Sequence, residues 1–203
     1  MIHLFRATNF RCLEKAELKL GPRFNLISGA NASGKTSLLE ALAYLGRGKS
    51  FRGASTANLT RHGESDFVLF GEVDGALGNV SVGVRNSREG LEARIGGENA
   101  SGAAALAEVL PLQVIDPEVH NLIAGGPELR RRFLDWVAFH VEHEHLSIWR
   151  KFRRALKQRN AALKAKSSAA TIQSWNAEFL KLAGSLDQSR RQVLELSLDS
   201  LPE

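Results

Sequence analysis

Cysteine is almost missing from this chain. Cys12 stands alone among 203 residues, so no intramolecular disulfide can form, the usage suits a reducing compartment, and Cys12 is expected to be a packed residue. Long apolar runs are missing as well: none approaches the roughly 20 residues that a bilayer-spanning helix needs, so no membrane is expected as a partner. The start, Met1-Ile2-His3-Leu4-Phe5-Arg6, lacks the basic region and apolar segment of a secretory leader, and the expected location is cytoplasmic. Acids are missing from one region only. Between Arg150 and Ala177 eight Lys and Arg residues stand without one Asp or Glu, whereas the whole chain carries a net +5, so the remainder is net negative and the basic character is regional. With 43% hydrophobic and 24% charged residues the composition suits an ordinary soluble fold, with one core or one domain carrying a helical insertion. No internal repeat is evident.

What the chain does have is Gly29-Ala30-Asn31-Ala32-Ser33-Gly34-Lys35-Thr36, which satisfies G-x-x-x-x-G-K-[ST] at every fixed position. A triphosphate tail is wrapped by backbone N–H groups, which requires glycine where a side chain would hold the backbone away. Gly29 and Gly34 occupy those places. Lys35 brings a compact positive charge to the β- and γ-phosphates, a catalytic role, and the Thr36 hydroxyl is a hard oxygen ligand for Mg²⁺. The flanks agree with the loop. Arg23 to Ser28 reads as a short buried strand, and Leu38, Leu39, Leu42 and Leu45 recur as a helical stripe with Gly46 as its stop, so the helix N-terminus faces the phosphates.

Along the chain, Ile2–Arg11 and Ala16–Leu20 read as a hairpin of strands ahead of the loop. Residues 66–73, 80–85 and 91–95 read as an antiparallel meander divided by turn formers, and Ala103–Leu110 as a short helix. From Leu112 the texture changes. Gly125-Gly126-Pro127 marks a hinge, and Pro127 suits the first position of a helix running through Trp136. A second helix carries Ile148, Phe152, Leu156 and Leu163 on one side and the basic run on the other; a third begins near Thr171 with Ile172, Trp175, Phe179, Leu182 and Leu186. The expected division is a head over residues 1–111 and a helical lobe over 112–203.

Other constellations carry less. Asp116, at the end of a short apolar run, invites a Mg²⁺ role, but Asp-Pro is a turn former and Pro117 separates it from Glu118. Gln113 is the better candidate for a polar contact to the metal or the attacking water. His140-Val141-Glu142-His143-Glu144-His145 lacks the helical zinc spacing and reads as a solvated helix end. Arg150, Lys151, Arg153, Arg154 and Lys157 have no acids at i,i+4 in their run, and the anions of DNA or of a partner would supply them; a merely solvated helix face is the competing reading.

The sequence resembles the RecF family of bacterial recombination-repair ATPases, related to the ABC-type and structural-maintenance-of-chromosomes ATPases. The likeness runs nearly end to end, through Asn9-Phe10-Arg11, Gly29 to Thr36 with Ser37-Leu38-Leu39-Glu40-Ala41, Ser50-Phe51-Arg52, Leu110-Pro111-Leu112-Gln113, Gly126-Pro127 to Trp136, Phe139-His140 and Leu156 to Asn160. It implies an α/β P-loop NTPase head of ABC type, here partial, with an antiparallel meander and a helical arm. It also implies an ATP-dependent homodimer that binds gapped or junction DNA in replication and repair and assists RecA loading with RecO and RecR. On that likeness Gly29, Ala30, Asn31, Ala32, Ser33, Gly34, Lys35 and Thr36 bind ATP, and Gln113 matches the glutamine loop. Two departures stand out. The family has glycine where this chain has Ala32, which matters if that residue needs a positive φ. The family's signature sequence and aspartate-rich strand are also not found, so the 203 residues are expected to be an N-terminal portion with little or no turnover of its own, and poorly soluble.

Two other functions stay open from the residues alone. One is a small phosphotransferase of the nucleoside-monophosphate kinase kind, with Arg130 to Arg132 on a lid. The other is a non-catalytic module binding DNA or a partner.

Overall fold

Period-two burial builds the first part of the molecule. In β1 (Ile2–Phe10) Phe5 and Ala7 point inward, and Asn9, at φ 56°, shifts the parity so that Phe10 is buried too. β2 (Leu13–Lys19), β3 (Phe67–Gly75), β4 (Gly78–Ser87), β5 (Gly90–Ile95) and β6 (Glu98–Asn99) complete one antiparallel sheet in the order β2-β1-β3-β4-β5-β6. Its register aligns Ala16, Ala7, Leu69, Val84 and Ala93 in a row across five strands, all facing the core. The hairpin and the meander expected from the sequence are present.

α1 (Lys35–Arg47) packs on that inner face. Tyr44 is enclosed by Phe10 and Phe67 in edge-on contacts with ring centroids 6.1 and 5.2 Å away, and burial raises its phenol pKa. Two glycines let the layers close. A Cβ on Gly71 of β3 would sit 2.7 Å from Leu45, and one on Gly46 would sit 2.9 Å from the carbonyl oxygen of Leu110. Gly46 is therefore an interior contact; the helix stops at Gly48, left-handed at φ 59°, whose N–H donates to the Tyr44 carbonyl. Leu39 is half-exposed, while Leu38 and Leu42 pack against the core beside the buried Ala41, Tyr44, Leu45 and Glu40. α2 (Ala103–Val109) covers α1 and β5.

The segment expected as a buried strand, residues 23–28, is not one. It joins no ladder, with Phe24 and Leu26 96% and 93% exposed. A strand is defined by its hydrogen-bonded neighbours, and among the described residues none lies beside it. Residues 111–115 likewise belong to no strand.

The computed structural model describes residues 1–53, 58–75, 78–115, 120–142 and 144–199, so Asp116, Glu118 and His143 lie outside the described residues. The chain divides into two compact units, Met1–Ile115 and Asp116–Glu203. The second contains α3 (Asn121–Ala124), α4 (Pro127–Val141), α5 (His145–Lys164) and α6 (Ala169–Asp199). α5 and α6 run antiparallel, in a register set by Phe152 against Phe179 and by Arg159 Nε donating to Asn176 Oδ1 at 2.7 Å. No described helix is long and apolar enough to cross a membrane.

His145 is the polar centre of this unit, not a solvated helix end. It is 2% exposed, with Nδ1 2.9 Å from Ser189 Oγ and Nε2 3.6 Å from Asp135 Oδ1, while Arg190 grips Asp135 through two bonds of 2.7 and 2.9 Å. Burial is the largest influence on the imidazole, followed by an opposing pull from Asp135 and a push from Arg190, and the net effect sets its pKa below the ordinary 6.5. The unfolded chain then takes up the proton first, so stability falls as pH drops through about 6.5 towards the depressed value. The helical signal in a thermal melt should therefore lose stability between pH 7.5 and 5, and His145→Asn should flatten that dependence. An unchanged slope in the variant would show that other groups carry it.

Candidate functional site

The loop from Gly29 to Thr36 closes on itself before it closes on anything else. Lys35 Nζ donates to the carbonyls of Gly29 at 2.9 Å and Ala30 at 2.6 Å, which holds the ammonium across the loop, and Ser33 N–H donates to the Ala30 carbonyl. α1 begins at Lys35 with no side chain capping its first turn and no acid within it, so its leading N–H groups and positive dipole end stay available to an anion. Thr36 is exposed on that first turn.

Gly34 is required twice over. Its φ is 92°, and a Cβ there would lie 3.2 Å from both Cys12 and Leu13. Ala32 holds φ 64°, the left-handed region, without the glycine that would make it free of strain. That conformation costs an L-residue roughly 1–2 kcal/mol.

Beside the loop lies a depression of about 210 Å³, lined by residues Ala32 to Ser37 together with Cys12 and Arg52. Cys12 is not packed away: it is exposed at the depression, its Sγ 3.4 Å from Ser37 Oγ. Arg52 reaches the same place and also lies 3.9 Å from Glu40.

Glu40 has a role that its place in the sequence does not announce. It is completely buried on the inner side of α1, where Arg11 donates to both of its oxygens at 2.9 and 3.1 Å and Ser50 Oγ donates at 2.6 Å. Burial opposes the charge, but the hydrogen bonds from Arg11 and Ser50 and the charges of Arg11 and Arg52 outweigh it, and the carboxyl titrates below its ordinary value. Three of the short motifs thus converge on one carboxylate. The available signal was an acid on the apolar side of a helical stripe, with arginines in motifs before and after it.

The other candidates are dispersed. Gln113 is exposed, does not line the depression, and among the described residues its amide makes only a long 3.4 Å contact to the Val114 carbonyl. Arg150, Lys151, Arg153, Arg154 and Lys157 are exposed on α5, and none forms an ion pair among the described residues; Arg153 lies over the Trp149 ring at 5.4 Å. Arg130 donates to the carbonyls of Leu122, Ile123 and Gly125, and Arg132 pairs with Glu128, which leaves little of a phosphate-clamping lid.

A glycine-bounded loop at an uncapped helix start, with an antiparallel sheet beside it and a helical unit after it in the chain, is the arrangement of part of a P-loop head of the ABC type. The chain belongs to the family described as the RecF/RecN/SMC N terminal domain, which matches residues 1–197. Among curated relatives, the DNA replication and repair protein RecF of Actinobacillus pleuropneumoniae serotype 5b is 44% identical over 92% of this chain and 52% of that protein. The chain spans about half the length of the curated relatives it matches. A solved structure of the recombination mediator protein RecF with ATP superposes with a TM-score of 0.85 at 25% identity, covering 96% of this chain and 54% of that one. An SMC ATPase structure, at 18% identity and a TM-score of 0.54, covers 67% of this chain and 98% of its own, and shows the shared fold.

Ala32→Gly should relieve the loop strain. Part of the gain is offset because glycine frees the unfolded chain by about 0.4–1 kcal/mol, so the net effect should be a rise in Tm of roughly 1–4 °C. Ala30→Gly, at a residue without positive φ, should lower Tm. A fall in Tm for Ala32→Gly would mean that the loop gains nothing from glycine there.

Proposed function

We propose that this chain is the nucleotide-binding portion of an ATP-dependent DNA-binding protein of recombinational repair and replication. The observation that carries the reading is the Gly29–Thr36 loop at the uncapped start of α1, where backbone N–H groups, Lys35 and Arg52 gather positive character with no acid in the first turn. The site fits a nucleoside triphosphate with Mg²⁺. The loop backbone cradles the phosphates, Lys35 leaves the Gly29 and Ala30 carbonyls for phosphate oxygens, and the Thr36 hydroxyl offers a hard ligand for Mg²⁺. Bound Mg²⁺ neutralises charge on the phosphates. Gln113 is the candidate group for the metal or the attacking water.

DNA is the second ligand in this reading, held in gapped or junction form by Arg150, Lys151, Arg153, Arg154 and Lys157, with RecO and RecR as partners in RecA loading. Support comes from the curated RecF relatives and from the absence of ion pairs for these five cations among the described residues. The ATP-dependent homodimer belongs to the same proposal. Residues 1–111 form the beginning of the head and 112–203 the arm. Turnover by the 203 residues alone is expected to be slight, because one loop positions phosphates but does not complete a water-activating site.

Equilibrium binding of fluorescent ATP with Mg²⁺ tests this directly. Lys35→Ala removes a charge-assisted contact worth about 1.5–3 kcal/mol, so affinity should fall roughly 10- to 100-fold. Equal affinity in the variant, with duplex DNA present or absent, would remove the loop from the function.

A further inference from the structure

The seam between α5 and α6 opens on one flank into a groove of about 640 Å³, a volume inside the roughly 300–1,000 Å³ typical of ligand sites. Lys151 and Arg154 line it from α5, and Ser174, Trp175, Glu178 and Lys181 line it from α6. Three cations face one acid, and none of the four forms an ion pair among the described residues. Elsewhere in this unit some cations are compensated: Arg132 pairs with Glu128, and Arg191 with Asp187, both at i,i+4. The groove cations, like Arg150 and Lys157 beside them, are left without that compensation among the described residues.

Trp175 gives the groove its second property. Trp175 is half-buried and lines the opening. From the groove, Arg150, Arg154 and Lys157 continue along one side of α5 at i, i+4 and i+7, a track of about 10 Å at the helical rise of 1.5 Å per residue. A row of cations leading to an aromatic face is the arrangement that single strands use: the row follows the phosphates, and the ring takes a base. Duplex DNA keeps its bases stacked and offers no free face. An acidic peptide satisfies the cations but leaves the indole unused.

We propose that this groove is a single-strand DNA site in which Trp175 stacks on one base while Lys151, Arg154 and Lys181 neutralise the flanking phosphates. The inference rests on the DNA-binding reading above and adds to it a strand preference and two residues on α6, Trp175 and Lys181. In a junction substrate the groove is the single-strand half of the grip.

The test uses the full 203-residue chain with a fluorescent 20-nucleotide oligo-dT and a duplex of equal length, titrated at several salt concentrations. Stacking is worth about 1–3 kcal/mol per base, so Trp175→Ala should weaken oligo-dT binding roughly 5- to 100-fold and leave duplex binding and the salt slope unchanged. Trp175→Phe keeps a stacking face and should retain most of the affinity, which separates lost stacking from lost folding. Lys181→Ala should shallow the single-strand salt slope by about 0.7. In a Trp136→Phe, Trp149→Phe background the remaining emission should be quenched by oligo-dT. Equal losses on both DNAs, or none, for Trp175→Ala overturn the stacking site. If Lys151→Glu and Arg154→Glu still weaken duplex binding, the wider DNA reading survives that result. No binding of either DNA overturns both. Competition by hepta-glutamate as effective as that by oligo-dT assigns the groove to an acidic peptide instead.

Discussion

A buried carboxylate organises the head. Glu40 has no exposed surface, and an ionised carboxyl stripped of water is costly unless its oxygens are filled. Here they are filled from two directions, by the guanidinium of Arg11 at the turn after β1 and by the hydroxyl of Ser50 beyond α1. The result is a three-point fastening of the turn, the helix and the following loop. Arg11 takes φ 55° at this turn, a conformation that an L-residue adopts only where its surroundings insist on it. Arg52 follows the same loop, so the carboxylate also places a cation beside the phosphate-binding depression.

That fastening matters because the loop itself has little else to hold it. Residues 29 to 33 rest on Lys35 and on one turn hydrogen bond, and Ala32 is strained. What is rigid is the helix beneath them. Tyr44 and Leu45 lock α1 to the sheet, and Gly71 and Gly46 bring sheet and Leu110 within contact of it. The helix start is thus presented at a fixed position, and the anion site it makes is a property of the whole layer packing rather than of eight residues.

Much of this was legible in the sequence where structure is local. Alternation in Ala16, Leu18 and Leu20 and turn formers between short apolar segments revealed β1 to β5, Pro127 revealed the start of α4, and the apolar spacing of Phe152, Leu156, Trp175, Phe179 and Leu186 revealed the helix pair. The misreadings all involve partners far along the chain. Residues 23–28 have the composition of a strand but find no ladder, and composition cannot supply one. Gly46 looked like a stop because its contact with Leu110 is tertiary. Cys12 looked like core because cysteine usually is, yet its turn faces the loop. Glu40 went unassigned because Arg11 and Ser50 are 29 and 10 residues away from it.

The coupling between Arg11 and Glu40 is measured most directly by a double-mutant cycle in thermal or urea unfolding. Removing one partner of a buried pair costs about 3–5 kcal/mol, because the other is left uncompensated. Arg11→Met and Glu40→Gln should each destabilise strongly, while the double variant should cost much less than their sum, with a coupling of at least about 1.5 kcal/mol. Strict additivity of the two single losses would contradict the account and leave the head held by its hydrophobic layers alone.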